Sequence, residues 1–295
     1  MYNYDDIFET QNSQESPEYD RDAWAAKKQA DRNHLYALAD STAESIVQDG
    51  DKFRDFLDVQ SRFGSYSVTN ALLILAQKPQ ATQLKSFEDW QKVDVNIKRY
   101  QKGFTILEPG QEYTRSDGSP AVSYEPKKVF DISQTTARPR GRQEPQRDER
   151  AIVTALIHKP PVPIRTVDEL PNNAGAYYDH NQEVIFVRKG MSLPNIFRNV
   201  SMELARAELA ADDPNYDRRA TSFTAYCSSY ILCKKNGFDV SGYNFTELPD
   251  HIRNADPKTI REELTKVRDA ASNISMRMYR AMNQQRQPKS KPQER

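Results

Sequence analysis

Apolar residues recur along most of this chain at helical spacing, and strand-like runs interrupt them in two regions. A first short helix is expected from Arg21 through Trp24 to Lys28. From Asp31 to Val47 the positions Leu35, Leu38, Ala39, Thr42 and Ile46 mark one helix face, with Gly50 as a stop. Phe53, Phe56, Leu57 and Val59 predict the next helix, and Ala71–Gln77 an apolar one stopped at Lys78-Pro79. Ser86, three residues before Asp89, is a predicted N-cap. Strands are expected at Phe104–Leu107 and Lys127–Ile132, with turns at Pro109-Gly110 and Asp117–Pro120. Helices followed by a hairpin predict a compact α+β unit over residues 21–132.

Residues 133–150 lack apolar periodicity and read as a linker. Beyond it come a helix at Ala151–Ile157 and a proline-constrained extended run at Lys159–Ile164. A hairpin follows at Ala176–Val187, turning at Asp179-His180-Asn181. Helices are then expected from Pro194, over Ala220–Lys235 with an Asn236-Gly237 cap, and over Pro257–Asn283. This second unit, residues 151–283, is mostly helical with a small sheet. The fold class is therefore α+β, in two domains.

Composition narrows the function classes. The 295 residues carry 42 Lys+Arg and 42 Asp+Glu, so no global basic field announces a nucleic-acid partner and any such surface is local. The ends differ: residues 1–20 form an acidic tail expected to be disordered, and 284–295 a basic one. Met1–Asp6 carries neither the basic segment nor the apolar core of a signal peptide, and no apolar run approaches membrane-spanning length. Cys227 and Cys233 lie six apart on an expected helix and face different sides, which argues against a disulfide or a metal pair. A soluble protein of a reducing cytoplasm, with no membrane partner, is the expectation.

The distinctive chemistry lies at Met202-Glu203-Leu204-Ala205-Arg206. A zinc-protease helix reads H-E-x-x-H: two imidazoles at i and i+4 hold the ion, and the glutamate activates its bound water. Here Met202 and Arg206 stand at the ligand positions, a thioether and a permanently charged guanidinium, neither suited to hold a divalent cation. Glu203 is vestigial in this reading, paired with a nearby arginine. No metal and no cofactor are expected. His158 and His180 offer displaced ligands in principle but lack metal-ligand spacing.

Two segments together resemble a known family. Phe63, Tyr66-Ser67-x-x-Asn70, Asn70–Ile74, Gln77–Thr82, Phe87-x-x-Trp90, Lys102-Gly103 and Val129–Thr135 are similar to the N-terminal single-stranded-DNA-binding domain of ArdC-type antirestriction proteins. Pro161–Pro163, Gly175–Asp179, Ile185–Ser192, Glu203–Leu209 and Cys233–Asp239 resemble the zincin-like metallopeptidase domain that follows it. The departures are specific. Both histidines of the family's H-E-L-A-H are replaced, the third, acidic ligand has no counterpart in Thr224–Cys227, and two glycines of the basic loop are Asp94 and Tyr100.

The resemblance implies single-stranded DNA as a partner, and the residues supply chemistry for it. Lys92, Lys98, Arg99 and Lys102 form a cationic track, with Tyr100 as the stacking candidate and Tyr66 nearby. Trp90, three after Phe87, reads as core. Ser67 and Asn70 fit equally a helix cap and a contact to bases or phosphates. The expected function is a non-enzymatic anti-defence protein of a plasmid or phage, binding single strands, a host nuclease or a CRISPR effector. An active metallopeptidase with relocated ligands and a purely protein-binding nuclease inhibitor are the alternatives.

Overall fold

The run from Arg21 to Val47 contains neither glycine nor proline, and it forms one helix, α1 (Arg21–Val47), rather than two. The computed structural model describes residues 21–114, 117–137, 148–211, 213 and 215–286. Expectations for 1–20, 138–147 and 287–295 lie outside them. Gly50 does not stop α1. Asp49 caps the next helix, α2 (Gly50–Arg62), and Gly50 opens it because the backbone of Phe245 passes so close that a Cβ would sit 2.0 Å from its carbonyl oxygen. α3 (Val68–Gln77) is capped by Ser67 and buries Ala71, Leu72, Leu73 and Ile74.

A three-stranded antiparallel sheet follows, in the order β1 (Leu84–Lys85), β3 (Pro120–Asp131), β2 (Phe104–Thr114), with the short helix α4 (Phe87–Gln91) between β1 and β2. Both long strands exceed their expected lengths. Pro109-Gly110 is not a turn: β2 runs through it with a shift in register between Pro109 and Glu112, as a proline tolerates at a bulge. Ile132–Gln134, at the expected junction of strand and linker, folds into a short 3₁₀ turn capped by Asp131.

Past the undescribed segment, Asp148 caps α5 (Glu149–Leu156). The second sheet has the order β4 (Ile164–Val167), β6 (Val184–Arg188), β5 (Ala176–Asp179), with β4 parallel and β5 antiparallel to β6, so β4 and β5 are its edge strands. Next come α6 (Leu193–Ala211), α7 (Ser222–Asn236), the short α8 (Asp250–Arg253) and α9 (Pro257–Arg286). The class is α+β, mainly helical.

The apolar core crosses the compositional boundary at 133–150. Phe53 of α2 meets Phe223 of α7 at 5.5 Å and Phe245 at 5.6 Å between ring centroids. Tyr230 of α7 donates to Asp58 at 2.7 Å, and Lys234 pairs with the same carboxylate at 2.8 Å. α9 packs against α1, α3, α5, α6 and α7, so helices of both halves share one interior. Among the described residues no helix is long and apolar enough to cross a membrane.

Candidate functional site

Helix α6 is buried on most of its circumference, through Phe197, Val200, Leu204 and Ala205 among others, and Glu203 is buried with them, only 2% exposed. A lone carboxylate there would be costly, and it is saturated instead. Arg218 donates to it through two parallel bonds, Nη1 to Oε2 at 2.8 Å and Nη2 to Oε1 at 2.9 Å. The Tyr178 amide donates to Oε2 at 2.8 Å, and Arg206 Nε lies 3.4 Å from Oε1. Burial pulls the Arg218 guanidinium's pKa down, but the bonds to Glu203 outweigh it and leave it raised.

This arrangement also closes the sheet edge. Tyr178 lies on β5 with both backbone groups turned away from β6: its N–H goes to Glu203 and its carbonyl accepts from Arg218 at 3.1 Å. Arg218 stacks its guanidinium 4.3 Å over the Tyr177 ring. Neither the glutamate nor this stretch of edge is free to engage a water or an added strand.

Arg206 is 7% exposed and donates through Nη1 to the Arg218 carbonyl at 2.8 Å and to Ser222 Oγ at 3.3 Å. Met202 is half-buried beside it, and the two line an open cavity of about 490 Å³. Thr224 is buried and bonds to Glu263 of α9. His180 packs on Tyr216 at 4.9 Å. Among the described residues no three His, Cys, Asp or Glu side chains gather in a metal cage. Cys227 and Cys233 are free and buried.

The basic loop between α4 and β2 is held from below. Its Ile97 bridges Thr135, Lys98 N donates to the Gln134 carbonyl at 2.9 Å, and Thr136 N to that of Asn96 at 2.8 Å. Gln134, 4% exposed, donates its amide to the Lys102 carbonyl at 2.9 Å. Asp131 locks the base by accepting from Thr82 N at 2.7 Å and Gln83 N at 3.0 Å. At Gly103 a Cβ would lie 2.7 Å from Lys128 Cγ, so the loop re-enters the sheet over Lys128.

On this base Lys92, Lys98, Arg99, Tyr100 and Lys102 are all exposed, Tyr100 at 97%. Lys92 pairs with Asp89 at 2.8 Å and Lys98 Nζ donates to the Ser133 carbonyl at 3.0 Å, whereas Arg99 and Lys102 make no ion pair among the described residues. Asp94 and Tyr100 both adopt left-handed backbone, with φ of 55° and 63°. The two positions without glycine thus keep the conformation that glycine favours. Lys128, exposed beside Gly103, is a further cation that sequence reasoning missed, because its place in β3 gave no sign of proximity to the loop.

The other candidates sit elsewhere. Trp90 is buried and donates to the Phe130 carbonyl at 2.9 Å, as expected of a core residue. Ser67 caps α3 by accepting from Asn70 N at 3.2 Å. Asn70 is 5% exposed and clamps Leu107 of β2, its Nδ2 donating at 2.7 Å and its Oδ1 accepting at 2.9 Å. Both polar atoms of that buried side chain are thus engaged with the β2 backbone. Tyr66 is half-buried against Phe63 at 5.7 Å, where burial and the nearby Glu108 raise its pKa.

No family model matches the chain, and no curated protein matches it. Among solved structures it is similar to the metal-free crystal structure of the antirestriction ArdC protein from the R388 plasmid, at 17% identity and a TM-score of 0.48, over 73% of this chain and 86% of that one. The Mn(II)-bound structure of that protein gives 18% identity and a TM-score of 0.45, over 72% and 85% of the two chains.

Proposed function

We propose that this chain is a non-enzymatic anti-defence protein of a mobile element that binds single-stranded DNA through its basic loop. The observation that carries the reading is Tyr100: an aromatic ring 97% exposed, held in left-handed backbone among Lys98, Arg99 and Lys102. A single-strand site needs cations that follow the phosphates and a ring on which a base stacks, and this loop presents both on a fixed support. The motif resemblance of residues 52–132 to a single-stranded-DNA-binding domain supports the same reading.

In the second half, the Glu203 carboxylate is engaged by Arg218 and by Arg206, so the group placed to activate a water acts as a structural anion. The peptidase-like part then serves as a docking surface for a host defence nuclease, a CRISPR effector being one form of such a target. Pull-down from a defence-competent bacterial lysate, with and without nuclease treatment, tests this. Capture of single-stranded DNA together with a host nuclease is expected, and nuclease treatment separates a DNA-bridged partner from a direct one. Recovery of neither nucleic acid nor a defence protein overturns the reading.

A further inference from the structure

The buried group around Glu203 carries more positive than negative charge. One carboxylate faces two guanidiniums, those of Arg206 and Arg218, leaving a surplus of one positive charge among the described residues. Arg218 meets solvent at 32% side-chain exposure, so the cation left to be neutralised by an anion or water is the buried Arg206. Arg206 lies where it can be reached, because it forms part of the wall of the cavity of about 490 Å³. Its Nη1 is spent on Ser222 and the Arg218 carbonyl, and Nη2 has no acceptor among the described residues. Arg219 and His251 add basic groups to the same wall, and no carboxylate of the described residues lines it. Arg219 makes no ion pair among the described residues.

Ser222 and Pro249 complete the wall together with three large apolar or aromatic side chains, Met202, Phe223 and Tyr226. The Tyr226 hydroxyl accepts from Asn244 N at 2.7 Å, which leaves its ring as the larger contact surface. A planar guanidinium beside a second one, flanked by rings, suits a planar anion on an apolar body better than a heavily hydrated one.

We infer that this cavity binds a peptide carboxylate, from a chain terminus or an acidic side chain, with Arg206 and Arg219 gripping the anion and Met202, Phe223 and Tyr226 holding its apolar part. A cleft whose counterpart positions in a zinc protease hold a cation thereby takes an anion, its own cation being supplied by α6. The inference deepens the reading of this half as a docking surface and is independent of whether the loop binds DNA.

Isothermal titration with small probes tests it. N-acetyl-phenylalanine represents a terminal carboxylate and N-acetyl-glutamate α-amide a side-chain one, with N-acetyl-phenylalaninamide as the neutral control. One or both acids should bind saturably, the tighter one identifying the source, and the neutral amide at least tenfold more weakly. Arg219→Gln, at an exposed position outside the Glu203 cluster, should weaken the acid at least fivefold while leaving retention of single-stranded DNA unchanged. Arg206→Gln should abolish acid binding where circular dichroism shows it folded. Equal binding of acid and amide, no binding of either acid, unchanged affinity in Arg219→Gln, or competition by inorganic phosphate at equal concentration would overturn the assignment.

Discussion

Arg218 closes on Glu203 with two parallel bonds of 2.8 and 2.9 Å, across fifteen residues of chain. The pair fixes α6 to the segment before α7 and, through Tyr178, to the edge strand β5. Glu203→Gln leaves Arg206 and Arg218 without their counter-charge. A loss of about 3 kcal/mol is expected, as when one partner of a buried ion pair is removed. Urea unfolding should show a lower midpoint with an unchanged slope.

Asn70 carries a second structural load. Asn70→Ala removes both bonds to Leu107 and leaves a buried amide and carbonyl unpaired, at a cost of about 2 to 4 kcal/mol. If Asn70 instead served a nucleic acid, the substitution would weaken binding with little change in the unfolding midpoint.

Tyr100 should show the opposite split between stability and binding. A left-handed residue other than glycine is strained by about 1 kcal/mol, and glycine's greater freedom when unfolded returns about half of that. Tyr100→Gly is therefore expected to stabilise the protein by about 0.5 kcal/mol while weakening single-strand binding by about 1 to 3 kcal/mol, the worth of one stacked base. Thermal melts and fluorescence anisotropy with a labelled oligonucleotide separate the two effects.

Acid should loosen the base of the loop only below the ordinary carboxylate range. Burial alone raises the Asp131 pKa, but its bonds to Ser133, Thr82 and Gln83 outweigh this and hold it below the ordinary value of 3.8. The folded carboxylate stays charged where the unfolded one has taken a proton. Its contribution is thus fully present above the unfolded pKa and is lost as pH falls through the folded one. Asp131→Asn should be less stable than the parent at pH 7, with the difference shrinking below pH 4, which denaturation midpoints across that range measure.

Much of this was legible in the sequence where the cause is local. Helix periodicity, the Ser86 cap and the burial of Trp90 follow from residues near one another in the chain. The Met202-Glu203-Arg206 helix pointed to a carboxylate paired with arginine, yet not to Arg218, which lies in a stretch of turns without periodicity. The same holds for Gln134: a polar residue in a segment read as linker became the latch of the loop because Lys102 folds back over it. Likewise, the break at 133–150 is a fact of composition, whereas the contact of Phe53 with Phe223 and Phe245 joins distant parts of the chain.

The most direct test of the account is the affinity for a labelled single-stranded oligonucleotide as a function of salt, for the parent and for a variant carrying Lys98→Ala, Arg99→Ala and Lys102→Ala. Binding to the parent should tighten at low salt, with the logarithm of affinity falling linearly against that of salt, by about 0.7 per phosphate contact. The variant should bind at least tenfold more weakly, with a slope shallower by about 2. Absence of binding by the parent at low salt, or equal affinity and slope in the variant, would contradict the loop as a single-strand site.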